Sequence, residues 1–158
     1  MGNIVVGVDG SEESKRALRW ALEEAELRGA DVKVVYAYEF TPAWREFSYA
    51  ESMTREQIAG VREKMQREAD EAREHGEALV ASVLADVAGD SGRSGVKAET
   101  LVLQDHQPAA ALVDQSKGAD LLVVGSRGRG GFTGLVLGSV SQQCLHHAKC
   151  PVVVIRRE

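Results

Sequence analysis

A chain of 158 residues, 44% hydrophobic and 27% charged, has the size of one domain and an ordinary globular composition, which excludes a mainly disordered or collagen-like chain. Its net charge of -5 gives no electrostatic footprint for DNA or RNA, whose phosphates are gripped by clustered Lys and Arg. No apolar run approaches the roughly 20 residues of a membrane helix, Met1-Gly2-Asn3-Ile4-Val5-Val6 carries no basic leader, and the two cysteines, Cys144 and Cys150, suit a reducing compartment. The expectation is one cytoplasmic domain over residues 1–158 with no membrane partner.

The first apolar run, Ile4-Val5-Val6-Gly7-Val8, is short, β-branched and nearly unrelieved, as in a strand buried on both faces of a parallel sheet. It stops at Asp9-Gly10-Ser11. Ser11 is placed to cap a helix, Glu12 and Glu13 sit at that helix's positive end, and Ala17, Leu18, Ala21, Leu22 and Ala25 recur at helical spacing. Arg28-Gly29 supplies a basic last turn and a C-cap. A second strand is predicted from Val32 to Tyr38, then an irregular stretch with Thr41-Pro42, Trp44 and Phe47. From Thr54 to Val87 a long helix is marked by Ile58, Val61, Met65, Ala69, Ala72, Leu79, Val83 and Val87, with Gly76 as the position for a bend. The charges between these residues read as a solvated face, and Trp20 and Trp44 read as packing.

Gly89-Asp90-Ser91-Gly92-Arg93-Ser94-Gly95 is turn chemistry at every position and separates the long helix from a third strand, Val96 to Leu103. Pro108 suits the first turn of a helix carrying Ala109, Leu112, Val113 and Ser116, which ends at Lys117-Gly118. A fourth strand, Leu121 to Val124, is followed by a glycine-rich stretch, a helix from Gly138 to His147, and a last strand, Val152 to Ile155, opened by Pro151. The β-α alternation predicts a five-stranded parallel sheet with helices on both faces. Such sheets bind ligands outside the carboxyl ends of the strands, where strand order reverses. Asp9-Gly10-Ser11 and the stretch from Gly125 to Ser141 both follow strand ends, which makes them candidates for the two walls of one crevice.

The glycine stretch is spaced as Gly125-x2-Gly128-x9-Gly138-Ser139, with Gly130, Gly131 and Gly134 inside it. Neither the Rossmann Gly-x-Gly-x-x-Gly spacing nor a Walker Gly-Lys-Ser/Thr is present. Two physical readings remain. The glycines let a long loop turn over the sheet, or they turn backbone N–H groups inward as an anion nest, to which a helix starting near Gly138-Ser139 adds its positive end. A glycine-rich loop alone does not decide between them.

The spacing, however, resembles the motif of the ATP-binding branch of the universal stress protein family, a Gly-x2-Gly-x9-Gly-Ser/Thr after the fourth strand. The surrounding Ala119-Asp120-Leu121-Leu122-Val123-Val124, the His147-Ala148-Lys149-Cys150-Pro151 that follows, and the N-terminal Val5-Val6-Gly7-Val8-Asp9-Gly10-Ser11 extend the likeness over nearly the whole chain. The resemblance implies a Rossmann-like fold of the adenine nucleotide alpha hydrolase type with strand order 3-2-1-4-5. It implies ATP, with Mg shared between its phosphates, held by Gly125, Arg127 and Gly128 on one side and Gly138, Ser139, Val140 and Ser141 on the other. Val8 and Asp9 match positions facing the nucleotide, Ala37 matches the position beside adenine, and Asp9 is the one acid placed near the cation. It further implies a stress-response regulator, typically a homodimer, which the last strand is placed to pair as a free edge. Two departures stand out: His106-Gln107 where the family commonly has a Gly before Pro108-Ala109, and the unmatched segment Thr41 to Glu51, readable as a lid or a partner surface.

Other clusters have plainer readings. Cys144, His146, His147 and Cys150 include metal-ligand types, but adjacent helical positions point apart, so a helix end with buried thiols is expected rather than zinc. A reactive thiol would need an exposed, electropositive setting. Asp105-His106 reads as a surface loop, and no Ser-His-Asp or Cys-His set accompanies Asp9 as a base. The expected function is an ATP-binding regulator with at most slow hydrolysis. The alternatives are a cyclic-AMP binder, a nucleotide-free interaction module, and an adenylating enzyme, which would lack its Ser-Gly-Gly-x-Asp loop.

Overall fold

A computed structural model describes residues 2–40, 52–91, 95–105, 107–128 and 136–156. Among these residues nine elements alternate: β1 (Asn3–Gly7), α1 (Glu12–Arg28), β2 (Asp31–Tyr38), α2 (Arg55–Ser91), β3 (Ala98–Gln104), α3 (Pro108–Gln115), β4 (Leu121–Gly125), α4 (Ser139–His147) and β5 (Val152–Ile155). All strand pairs are parallel, in the order β3-β2-β1-β4-β5. The expected sheet and strand order are therefore present, with the reversal of order between β1 and β4.

Strand periodicity sorts the core into two layers, because successive side chains leave opposite faces. From β1, Ile4 and Val6 join Val32, Val34 and Val123 beneath α1 and α2, where Ala17, Leu18, Ala21, Val80, Val83 and Val87 close the layer. Val5 goes the other way with Val35, Leu122 and Val124 and packs on Ala109, Leu112 and Cys144 of α3 and α4. Trp20 is packed against the first layer; Trp44 lies outside the described residues.

Local chemistry fixes the ends of α1. The Ser11 hydroxyl accepts the Ser14 N–H at 3.2 Å, Glu12 and Glu13 occupy the first turn, and Gly29 ends the helix at φ 64°, a left-handed conformation that glycine adopts without a Cβ clash. Lys15 ties α1 to α2 through Asp86 at 2.8 Å, and hydrogen bonds to Asp86 and Glu12 raise its ammonium pKa.

Helix α2 departs from expectation at its end. Gly89, Asp90 and Ser91 belong to the helix, not to a turn, since one exposed glycine costs a helix only about 1 kcal/mol and Val87, fully buried, anchors the preceding turn. The helix also runs unbroken through Gly76. A Cβ there would stand 2.8 Å from Val102 Cγ1 and 3.1 Å from Tyr36 Cε1, so this glycine is where the helix backbone comes down onto the sheet. The third strand starts two residues later than expected, at Ala98, and ends at Gln104. Among the described residues no helix is long and apolar enough to cross a membrane.

Candidate functional site

At the carboxyl ends of β1 and β4 the chain opens a cavity of about 440 Å³, within the range of small-molecule sites and at the point where strand order reverses. Its floor is apolar: Val35 and Ala37 from β2, Val124 from β4, and Leu112 and Pro108 from α3. One wall is the corner between β1 and α1, with Val8, Asp9 and Ser14; the other is Gly125, Arg127 and Gly128 facing Gly138, Ser139, Val140 and Ser141.

All ten positions singled out in the sequence, Val8, Asp9, Ala37, Gly125, Arg127, Gly128, Gly138, Ser139, Val140 and Ser141, thus line one cavity. Gly7, Ser14, Val35, Pro108, Leu112 and Val124 line it too and were not anticipated. Val35 was within reach of sequence reasoning, since it shares a strand face with Ala37 two residues on. Gly130, Gly131, Gly134, the segment Thr41 to Glu51, and His106 lie outside the described residues.

The acidic corner is built by hydrogen bonds. Asp9 Oδ1 accepts the Ser11 N–H at 2.9 Å and also the Ser11 hydroxyl, while the Asp9 N–H donates to Ser14 Oγ at 3.3 Å. Asp9 Oδ2 faces Gly128 so closely that a Cβ on that residue would stand 2.5 Å away. Glycine at 128 therefore lets the second wall close onto the first.

The opposite wall presents donors. Helix α4 begins at Gly138 with no side-chain cap and no acid in its first turn. The first N–H groups of a helix lack intrahelical partners, and here they belong to residues on the cavity wall. That end carries a partial positive charge, beside Arg127, the one cationic side chain among the described lining residues. The Ser139 hydroxyl is exposed and makes no hydrogen bond among the described residues. An apolar floor with a cationic, N–H-lined rim accommodates a flat ring carrying an anionic tail.

The thiols are not part of this chemistry. Cys144 is fully buried, and burial, with a smaller contribution from Cys150, pushes its thiol up to about 11, the opposite of a reactive setting. Among the described residues no three His, Cys, Asp or Glu side chains gather to hold a metal ion. Asp105 Oδ1 accepts the Gln107 N–H at 2.8 Å, as a loop residue at a helix start does. Because the folded state binds the Cys144 proton more tightly than the unfolded chain, stability should be intact below pH 9 and fall between about pH 9 and 11. Urea midpoints at pH 8 and pH 10.5 check this: the alkaline loss should be smaller in Cys144→Ala than in the wild type.

The model of the universal stress protein family matches residues 1–156. The chain belongs to the universal stress protein family. A member from Mycobacterium tuberculosis is 38% identical over 159 residues, covering 98% of this chain and 48% of its own length; the chain spans about half the length of that relative. Among solved structures of the family, one in complex with cAMP is 25% identical with a TM-score of 0.64, covering 99% of this chain and 98% of its own. Another, from Archaeoglobus fulgidus in complex with dAMP, is 26% identical with a TM-score of 0.59, covering 98% of both chains.

Proposed function

We propose that this chain is an adenine-nucleotide-binding regulator of the cytoplasm, with ATP as its preferred ligand. The observation that carries this reading is the uncapped N-terminus of α4, set beside Arg127 on the rim of an apolar cavity at the sheet's switch point. In the proposed pose adenine lies over Ala37, Val35 and Leu112, and the phosphates reach Arg127, Gly128 and the N–H groups of Ser139 and Val140. The family relatives in complex with dAMP and cAMP support the adenine end of that pose. A Mg ion would fit as a companion of the phosphates: Asp9, the one carboxylate among the described lining residues, would help to hold it, and the ion would offset phosphate charge.

Occupancy then biases the shape of the domain or its binding to a partner. Turnover is at most slow, because among the described residues lining the cavity no base is paired with a nucleophile. The domain works as a homodimer joined along β5, a four-residue apolar edge strand, Val152–Ile155. The mycobacterial relative, twice as long as the stretch it shares with this chain, leaves room for a second such unit in one polypeptide.

Titration calorimetry with ATP, with and without Mg, tests the reading. Binding in the micromolar to low-millimolar range is expected, and no heat up to that limit would refute it. A second reading, that the ligand is cyclic AMP, draws on the cAMP-bound relative; tighter binding of cyclic AMP than of ATP in direct competition would favour it.

A further inference from the structure

We infer that Ser141 is a positioning residue of the phosphate cradle, holding the N-terminus of α4 against the end of β4 through the Ser126 carbonyl, and is not itself a phosphate ligand. This rests on the nucleotide reading of the cavity and assigns Ser141 a different role within it.

A serine hydroxyl has one proton to donate. That of Ser141 lies between two carbonyls, Ser126 O at 3.0 Å and Gly138 O at 2.9 Å, with the residue only 2% exposed. The same Ser126 carbonyl accepts the Gly138 N–H at 2.6 Å. One oxygen at the end of β4 thus receives both the cap residue of α4 and a side chain from its first turn. Ser126 is itself fixed: it is 3% exposed, and its N–H donates to Ile155 O of β5 at 2.8 Å. The Ser126 carbonyl at the end of β4 and the start of α4 at Gly138 are thus tied directly to each other.

Turning the Ser141 proton toward a phosphate would leave buried carbonyls with fewer donors, which is costly. Among the described residues the Ser139 hydroxyl has no such commitment, which leaves it to meet an anion. Helix-end electrostatics act over the first turn alone, so a slackened α4 start should weaken ligands according to their phosphate content and spare a nucleoside.

The test measures Kd for adenosine, AMP and ATP by calorimetry, together with hydrogen exchange of the Gly138 amide in ligand-free protein. Ser141→Ala should weaken ATP by about tenfold, the scale of one lost hydrogen bond, leave adenosine within about twofold, and speed Gly138 exchange by about tenfold. Ser141→Cys, close in shape with a weaker donor, should fall between, and it carries the comparison if the alanine variant does not fold. Ser139→Ala should weaken ATP while Gly138 exchange stays at the wild-type rate. Unchanged Gly138 exchange in both Ser141 variants would overturn the inference, as would equal losses for adenosine and ATP. Wild-type protein that binds none of the three ligands refutes the nucleotide reading instead, and the exchange rates still decide whether Ser141 pins the helix.

Discussion

Gly125→Val is expected to lower the free energy of unfolding by about 3 kcal/mol, the upper part of the usual range for overpacking, although Gly125 lines the cavity. The reason lies behind the site. A Cβ at Gly125 would stand 3.0 Å from Glu13 Cβ and 3.1 Å from the Glu13 carbonyl carbon. The obstruction is therefore the first turn of α1, which Ser11 caps and which Ala17, Leu18 and Ala21 hold against the sheet. A helix backbone so anchored yields less readily than a side-chain tip, and valine adds two methyls to the strain. Gly138→Ala is the control: a Cβ there meets Arg127 Cα at 3.4 Å and Ser126 O at 3.5 Å, ordinary contact distances, and the backbone at φ -77° accepts alanine. Equilibrium urea unfolding of both variants should show the valine protein far less stable and the alanine protein within about 1 kcal/mol of wild type. A valine variant that also stays within about 1 kcal/mol would mean that α1 can slide and that Gly125 is not a packing glycine.

This double use of Gly125 illustrates what the sequence makes legible. The β-α alternation, the Ser11 cap, the Gly29 end and the buried strands were readable because each is a local signal that agrees with the global fold. The candidate site was readable for another reason: the spacing of Gly125, Gly128 and Gly138 is a family pattern, whereas physics alone left an anion nest and a pliable loop undecided. What stayed hidden depends on packing between distant segments. Gly76 has its meaning from Tyr36 and Val102 on two different strands, and Leu112 and Pro108 reach the cavity through the way α3 packs on the sheet. The end of α2 was misjudged because Gly89-Asp90-Ser91 favours a turn locally, while the helix already anchored at Val87 continues through it at small cost. Ser141 lines the cavity, but its two hydrogen bonds become visible only when β4 and α4 are brought together.

Arg127→Glu should reduce ATP affinity by about a hundredfold, roughly 2.7 kcal/mol, while leaving adenosine within about twofold and the fold intact. Arg127 is half-buried on the rim and makes no ion pair among the described residues, so its replacement breaks no ion pair among them. What is lost is a charge-assisted contact of about 1.5–3 kcal/mol, and the substituted carboxylate adds repulsion beside Asp9. Salt dependence gives this prediction a sign that a damaged fold would not reproduce. The chain carries a net charge of -5, so its long-range field opposes a polyphosphate, and among the described lining residues the positive groups are Arg127 and the start of α4. Exposed charges are screened beyond about 10 Å at 0.1 M salt. In the Glu variant the rim itself becomes repulsive, so ATP binding should strengthen as salt is raised from low to moderate concentration, whereas the wild type should weaken or hold level. Calorimetric titrations of ATP and adenosine at two ionic strengths decide it. Equal losses for both ligands, or an ATP loss of less than about threefold, under 1 kcal/mol, would show that the anion contact lies elsewhere on the cavity wall.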